Sequence, residues 1–206
     1  YRKMFLNPES DLEKFLNGMR RAVVNIKDSN KQKPKIEAAI QIAKTGKTLI
    51  HTNWKRSGVN VIKQKLQDEG IRSQIISGDV ETKKRQKIVD DYNSGKIQAL
   101  IITKAGGEGL DLKGTRNVVM LDPLWNEASM EQVIARGIRY KSHHHLPPDL
   151  RVVNVYYIKM SKYDPGQIDK DDNDSIDFLM QYYIDNKKVI NDNFLNKLRG
   201  VSTVTC

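Results

Sequence analysis

Residues 99–140 read ALIITKAGGEGLDLKGTRNVVMLDPLWNEASMEQVIARGIRY, and this stretch decides the fold. It opens with an apolar run, 99–102, whose shortness and lack of alternation predict a strand buried on both faces. A glycine-rich loop, 105–109, follows, and glycine lets a backbone approach a ligand closely. A second buried strand, 118–121, leads into the turn Asp122-Pro123, after which the pattern predicts a helix.

That helix carries polar residues at positions 132, 136 and 139, which share one helical face by their spacing. They are Gln132, Arg136 and Arg139, and Met130, Val133, Ile134 and Ile138 fall on the opposite side. Two guanidinium groups and an amide suit a phosphate. A merely solvated basic face is the simpler interpretation of such a helix alone. The glycine loop one strand earlier favours the functional interpretation.

The stretch resembles the second motor lobe of superfamily 2 helicases of the Swi/Snf type. Residues 103–112, TKAGGEGLDL, are similar to motif V, and residues 132–139, QVIARGIR, are similar to motif VI, written QxxGRxxR. Residues 122–126, DPLWN, resemble the DPxWN element of the Swi/Snf branch. The loop 142–149, SHHHLPPD, is most similar to nucleoside triphosphatase I and related helicases of large DNA viruses. Ala135 replaces the family glycine, and Asp111 replaces an asparagine common in Swi/Snf relatives.

Composition limits the classes of function. The chain has 206 residues, enough for one medium domain with appendages, and a formal net charge of +10, which suits a polyanionic partner such as nucleic acid. No apolar run approaches the length of a membrane span. The only cysteine is Cys206, so no intramolecular disulfide can form. The first residue is Tyr1, from which we expect the chain to be part of a longer protein.

The remaining pattern predicts an α/β fold, a parallel sheet flanked by helices with right-handed crossovers, and the resemblance implies that this sheet is RecA-like. We expect a helical linker from a missing first lobe over 1–33, the RecA-like helicase domain over 34–160, and a loop with helices that pack back on the domain over 161–206. Thr45-Gly46-Lys47-Thr48 mimics the end of a phosphate-binding loop, but it follows a helix and opens a strand, so we reject it. Histidines 143–145 are adjacent in one loop, and no metal site is expected.

The resemblance implies roles for the nucleotide contacts. Arg136 and Arg139 would be arginine fingers, oriented by Gln132. Gly109 and Asp111 would meet the nucleotide at its ribose, and Glu108 would lie between this site and the nucleic acid and couple the two.

The resemblance also implies nucleic-acid contacts in the DPLWN element and directly after three predicted strands, 48–51, 72–76 and 99–102. In the family, motif IV carries a small polar residue that touches a nucleic-acid phosphate, and here this residue would be Thr52 or Asn53. The other candidates are Ser77, Gly78, Thr103, Lys104 and Trp125. Packing at the strand–helix corner is an equal alternative for Trp125.

A superfamily 2 motor divides its active site between two lobes, and this chain has only the second set of motifs. There is no GxxxxGK[ST], and no DEAH- or DExx-type element follows a buried strand in the sequence. We therefore expect half of a DNA-dependent ATPase, helicase or translocase that is inactive alone. It would use ATP with Mg²⁺ bound by the other lobe and serve viral transcription inside the cell or virion. The alternatives are an RNA helicase lobe and a non-catalytic interaction module.

Overall fold

The computed structural model describes residues 8–27, 32–106, 109–124, 127–161 and 175–202, with side chains described between 14 and 198 of these ranges. Within these ranges five strands form one parallel sheet in the order β2-β3-β1-β4-β5. The strands are β1 (Thr48–His51), β2 (Ser73–Ile76), β3 (Ala99–Ile102), β4 (Asn117–Met120) and β5 (Asn154–Tyr157). The predicted parallel α/β sheet is confirmed.

Six α-helices surround the sheet in the described part of the chain. They are α1 (Pro8–Val24), α2 (Pro34–Lys44), α3 (Asn60–Asp68), α4 (Thr82–Asn93), α5 (Glu127–Gly137) and α6 (Ile176–Ser202). A π-helical turn, Lys55–Val59, precedes α3, and a 3₁₀ turn, Pro148–Leu150, precedes β5. Pro34 begins α2, where its missing N–H costs nothing, and Gly70 ends α3 with a positive φ of 71°.

The strands alternate their side chains between two cores. Leu49, Leu100 and Val118 face α4 and α5 in one core. Ile50 and Ile101 face α2 and α3 in the other. The strands β1, β3 and β4 are buried along their whole length, and the apolar runs 99–102 and 118–121 predict this for β3 and β4.

The helix α6 departs from the expectation that the tail packs back on the domain. Its first turns do pack, since Ile176, Met180 and Ile184 are buried. Beyond them Val189, Ile190 and Phe194 are 58%, 67% and 61% exposed. The apolar periodicity predicted the helix correctly, but periodicity alone cannot say what covers the apolar face.

Candidate functional site

The loops that follow β1, β2 and β3 meet at the carboxyl end of the sheet. The last residues of these strands, His51, Ile76 and Ile102, are paired in one row across the ladder. Each is followed directly by a pair of candidate residues: Thr52 and Asn53, Ser77 and Gly78, Thr103 and Lys104. The structure therefore brings six sequence-predicted nucleic-acid contacts to one end of the sheet, where open α/β sheets bind ligands.

The exits of β2 and β3 are in direct backbone contact. A Cβ added to Gly106 would meet the Ile76 carbonyl and would lie 2.6 Å from the Cα of Ser77. The Gly106 N–H donates to Thr103 Oγ1 at 3.3 Å, which closes the turn. Lys104, at the top of this turn, is exposed. The glycine thus lets the motif V loop rest on the Ser77-Gly78 turn and leaves the lysine facing outward.

The exit of β1 separates the Thr52 and Asn53 alternatives. Thr52 is fully buried, and its hydroxyl accepts the Trp54 N–H at 3.3 Å, so it is not available to an external phosphate. Asn53 is only half-buried. Its backbone N–H donates to Asp122 Oδ1 at 3.1 Å, and its Nδ2 donates to Oδ2 at 2.5 Å. Asp122, which follows β4, therefore fixes Asn53 beside the exits of β2 and β3.

The helix α1 covers part of this end of the sheet. Arg20 is 2% exposed, and its guanidinium donates to the Pro123 carbonyl and, at 2.8 Å, to Asn17 Oδ1. The same group lies 5.8 Å from the centroid of the Trp54 ring, within cation–π range. A cavity of about 160 Å³ lies here, with Arg20, Asn53, Trp54 and Lys104 in its wall.

His51 lies under the same loops and is completely buried. Neither ring nitrogen has a hydrogen-bond partner in the described part of the chain. Burial lowers the pKa of His51, while the carboxylate of Asp122 opposes the shift and Arg20 and Lys104 add to it. The imidazole is therefore neutral at pH 7.

The second group of candidates lies on and after α5. Gln132 is exposed and Arg136 is partly exposed on the helix, but the helix ends at Gly137. Arg139 therefore lies beyond it, and the prediction that one helical face carries all three residues is wrong. Ile138, which was expected on the opposite side of the helix, also lies beyond its end and is 47% exposed. No hydrogen bond or ion pair links the Arg136 or Arg139 guanidinium to another described residue.

The end of α5 packs against the start of β4. A Cβ on Gly137 would lie 2.7 Å from Val118 Cγ2 and 3.3 Å from Thr115 Cγ2, so helix and strand are in contact here. Because Thr115 precedes β4, the end of α5 lies at the amino end of the sheet. His143 is buried and bonds the Thr115 carbonyl through Nε2 at 2.6 Å, which fixes the following loop.

The segment with Gly109 and Asp111 is fixed against the end of α4. Asn93 Nδ2 donates to the Asp111 carbonyl at 3.0 Å, and its Oδ1 accepts the Lys113 N–H at 2.8 Å. Gly109 has a φ of 73°, which favours glycine, and the Asp111 side chain is exposed. A cavity of about 380 Å³ lies between this segment and α4.

A backbone contact links the nucleotide candidates on the two segments. The Gly114 N–H donates to the Ser142 carbonyl at 3.0 Å, and the Ser142 N–H donates to the Arg139 carbonyl at 3.0 Å. The segment of Asp111 is therefore tied to the loop of Arg139 at the amino end of the sheet. The nucleic-acid candidates lie at the opposite end.

Comparison with known proteins identifies the family of this chain. Residues 31–141 match the family model described as the helicase conserved C-terminal domain, which is more than half of the chain. The chain belongs to this family. Both groups of candidate residues lie within the matched range, which is called the helicase lobe below.

Relatives of the helicase lobe are viral proteins. A protein of Acanthamoeba polyphaga mimivirus named as an ATP-dependent RNA helicase is 39% identical over 153 residues, which are 73% of this chain and 34% of that protein. Nucleoside triphosphatase I of Choristoneura biennis entomopoxvirus is 35% identical over 43% of this chain and 15% of its own. An African swine fever virus protein named as a termination factor NPH-I homolog is 36% identical over 57% of this chain and 17% of its own. The chain spans about a third or less of the length of these relatives.

Solved structures confirm the RecA-like fold of the helicase lobe. The C-terminal part of the Fun30 ATPase domain superimposes with a TM-score of 0.59 at 18% identity, over 88% of this chain and 55% of that one. The C-terminal domain of the DEAD-box protein Dbp5 gives a TM-score of 0.50 at 22% identity, over 78% and 86%. At these identities the likeness concerns the fold alone.

Glu108 and Trp125 lie outside the described residues. The described ranges contain no cluster of His, Cys, Asp and Glu suited to a metal ion. No helix within them is long and apolar enough to cross a membrane.

Sequence reasoning missed Arg20 and gave His51 no role at this end of the helicase lobe. The signal for Arg20 was present, because Leu16, Arg20 and Val24 follow one another at four-residue spacing and so share the buried face of α1. A charged residue on the buried face of a helix needs partners, and here they are a carbonyl, an amide oxygen and an aromatic ring.

Proposed function

We propose that this lobe is the second half of a DNA-dependent ATPase or translocase and that Arg136 and Arg139 act on the γ-phosphate of ATP. The observation that carries the proposal is their lack of internal partners among the described residues. Arg72 and Arg116, by contrast, are engaged, because they donate to the carbonyls of Gly95 and Leu150. A guanidinium pair left without internal partners at the end of α5 suits an anion that comes from outside the lobe.

Phosphoryl transfer depends on positioning and on neutralising the charge of the transferred group, and an arginine finger contributes roughly a thousandfold or more. ATP with Mg²⁺, when bound, supplies the phosphoryl group that is transferred to water. On this lobe Arg136 and Arg139 would neutralise its charge, and Gln132 would orient them. Gly109 and Asp111 would meet the ribose, with Glu108 between the nucleotide and the nucleic acid.

The carboxyl end of the sheet would hold the backbone of the nucleic acid. Asn53, Ser77, Gly78, Thr103 and Lys104 are the proposed contacts, with Trp125 as a further candidate. Thr52 would support them from below, because its side chain is buried. Contacts of this kind read no bases, so binding would be sequence-independent and would weaken as salt is raised. The net charge of +10 favours the same partner.

The lobe would be inactive alone. The sequence has no phosphate-binding loop, so the nucleotide and the magnesium ligands would be held mainly by a first RecA-like lobe of the same protein. We retain the division into a linker over 1–33, the RecA-like domain over 34–160 and the appendage over 161–206 as part of this proposal. The African swine fever virus relative, named as a termination factor, favours a role in viral transcription inside the host cell or virion.

A second candidate is an RNA helicase. It is favoured by the mimivirus relative, which is named as an ATP-dependent RNA helicase and is 39% identical over 73% of this chain. The DPLWN element and the long helix α6 favour DNA. The proposed contacts go to phosphates, which both nucleic acids share, so the polymer must be decided by experiment.

The test measures ATP hydrolysis by the full-length protein without nucleic acid, with DNA and with RNA. Arg136→Ala should reduce turnover about a thousandfold while nucleotide still binds. Arg72→Ala is the control, because it removes an arginine that has a structural partner, and it should leave turnover within about twofold. Normal hydrolysis by Arg136→Ala would contradict the proposal and would favour an interaction module.

Lys104→Glu is the matched variant for the nucleic-acid surface. It should abolish stimulation and leave turnover without nucleic acid unchanged, because it lies at the other end of the sheet from Arg136. The polymer that stimulates the wild type decides between the DNA and RNA candidates.

A further inference from the structure

Arg20 lies where three segments of the chain meet. Its guanidinium contacts Asn17 on its own helix, the Pro123 carbonyl after β4 and the Trp54 ring after β1. Pro123 follows Asp122 directly, and Trp54 follows Asn53 directly. The arginine therefore contacts Trp54 and Pro123, the residues that directly follow the hydrogen-bonded pair Asn53 and Asp122.

The helix that carries Arg20 is itself held in place from the other side. Leu16, one turn before Arg20, packs against Ile176 and Met180 at the start of α6. The start of α6 is anchored in turn by an ion pair between Asp177 and Lys35 of α2, with an N···O distance of 2.7 Å and both side chains buried. Arg20 is thus fixed relative to the sheet through two helices.

The contacts of Arg20 are specific to a guanidinium. Burial disfavours a charge, and the charges that stabilise it are the carboxylates of Asp122 and Asp177. Asp122 is the residue that holds Asn53. A lysine has a single amine and cannot place one face on Trp54 while donating to Pro123 and Asn17. An apolar residue would fill the space but would leave Asp122 without its neighbouring cation.

We propose that Arg20 is a positioning residue that links the lead-in helix α1 to the nucleic-acid contact at Asn53. It holds the Pro123 turn and the Trp54 ring in place, and these set the position of Asp122 and Asn53. A displacement of α1 alters the loop after β1 without touching the arginines at the end of α5. Activation by nucleic acid therefore depends on the position of α1.

This inference rests on the proposed function, because it presupposes hydrolysis that nucleic acid stimulates. The experiment measures turnover by the full-length protein at saturating ATP against the concentration of a DNA or RNA oligonucleotide. Arg20→Met should raise the concentration needed for half-maximal stimulation about tenfold, which corresponds to about 1.4 kcal/mol. Unstimulated turnover and the KM for ATP should stay within about twofold.

Arg116→Met is the matched control. It also removes a guanidinium that donates to a backbone carbonyl, that of Leu150, but at the amino end of the sheet. It should leave the half-maximal concentration unchanged. An unchanged value for Arg20→Met, or an equal rise for both variants, would overturn the inference.

Two milder variants decide the question if Arg20→Met does not fold. Asn17→Ala removes one acceptor from a half-buried helical position, and Trp54→Leu removes the ring beneath the guanidinium. Both should raise the half-maximal concentration and leave unstimulated turnover intact; if neither does, the inference is wrong. A wild type that neither polymer stimulates would instead contradict the proposed function itself.

Discussion

The two ends of the parallel sheet are built differently. At the amino end, polar side chains use their donors on neighbouring groups: Asn117 Nδ2 donates to Thr45 Oγ1 at 3.0 Å and Thr48 Oγ1 at 3.2 Å, and Lys47 Nζ donates to the Lys113 carbonyl at 2.8 Å. At the carboxyl end, Lys104 is exposed and forms no hydrogen bond or ion pair with another described residue. These amino-end side chains are used inside the lobe, whereas Lys104 at the carboxyl end faces solvent.

The difference indicates how a loop can be rigid and still available to a ligand. At the carboxyl end the backbone at Gly106 packs on Ser77, so the loop is fixed without the use of its lysine. At the amino end the exception is the pair Arg136 and Arg139, which lies beside a loop that His143 fixes through the Thr115 carbonyl. In both places the backbone is held by contacts within the lobe, and the cation has no hydrogen bond or ion pair with another described residue.

The largest expected effect tests how the carboxyl end is covered. Lys35→Ala leaves Asp177 buried without its cation, and breaking one partner of a buried pair costs about 3–5 kcal/mol of the free energy of unfolding. Denaturant unfolding of the chain checks this. Lys44→Ala, in an exposed pair with Glu69, should cost less than about 1 kcal/mol. Equal losses would mean that α6 is not anchored by the buried pair.

A smaller effect is expected from the backbone contact that fixes the motif V loop. Gly106→Ala introduces a Cβ against the Ile76 carbonyl and Ser77, and overpacking of this kind costs about 1–3 kcal/mol. Gly18→Ala is the control of opposite sign, since a Cβ there has no atom within 4 Å, and alanine favours a helix by about 0.5–1 kcal/mol. Urea midpoints of the two variants should move in opposite directions. A Gly106→Ala midpoint at the wild-type value would show that the loop is loosely seated.

The sheet could be predicted from sequence because its signals are local. The run 99–102 is apolar throughout, and the strand has those limits. The strand ends also place Ser77, Thr103 and Lys104 together, since parallel strands share a carboxyl end. Short-range pattern and strand direction were sufficient for these residues.

The errors come from contacts distant in sequence. Arg139 is not on the predicted helical face because the helix ends at Gly137, where it packs closely on Val118. Thr52 is buried because Gly58, in the π-helical turn, packs on its side chain. Arg20 contacts a carbonyl 103 residues away. The hydrophobic periodicity of the sequence does not predict contacts between such distant residues.

The smallest effect at neutral pH is expected from His51, whose burial beneath the carboxyl-end loops lowers its pKa. In the unfolded chain the imidazole takes up a proton below about pH 6.5, whereas in the folded protein it does so only at lower pH. The unfolded state therefore binds more protons in this window, and stability that is complete above about pH 6.5 is lost as the pH falls.

His51→Leu separates this contribution from other titrating groups. The substitution removes no hydrogen bond, because neither ring nitrogen of His51 has a described partner. The free energy of unfolding of His51→Leu should therefore depend less on pH below 6.5 than that of the wild type. Denaturant unfolding at a series of pH values checks this, with exposed His144→Ala as the control that keeps His51. Parallel curves for wild type and His51→Leu would mean that His51 does not titrate on unfolding. A reduced slope would mean that the carboxyl-end loops rest on a residue whose protonation destabilises the fold.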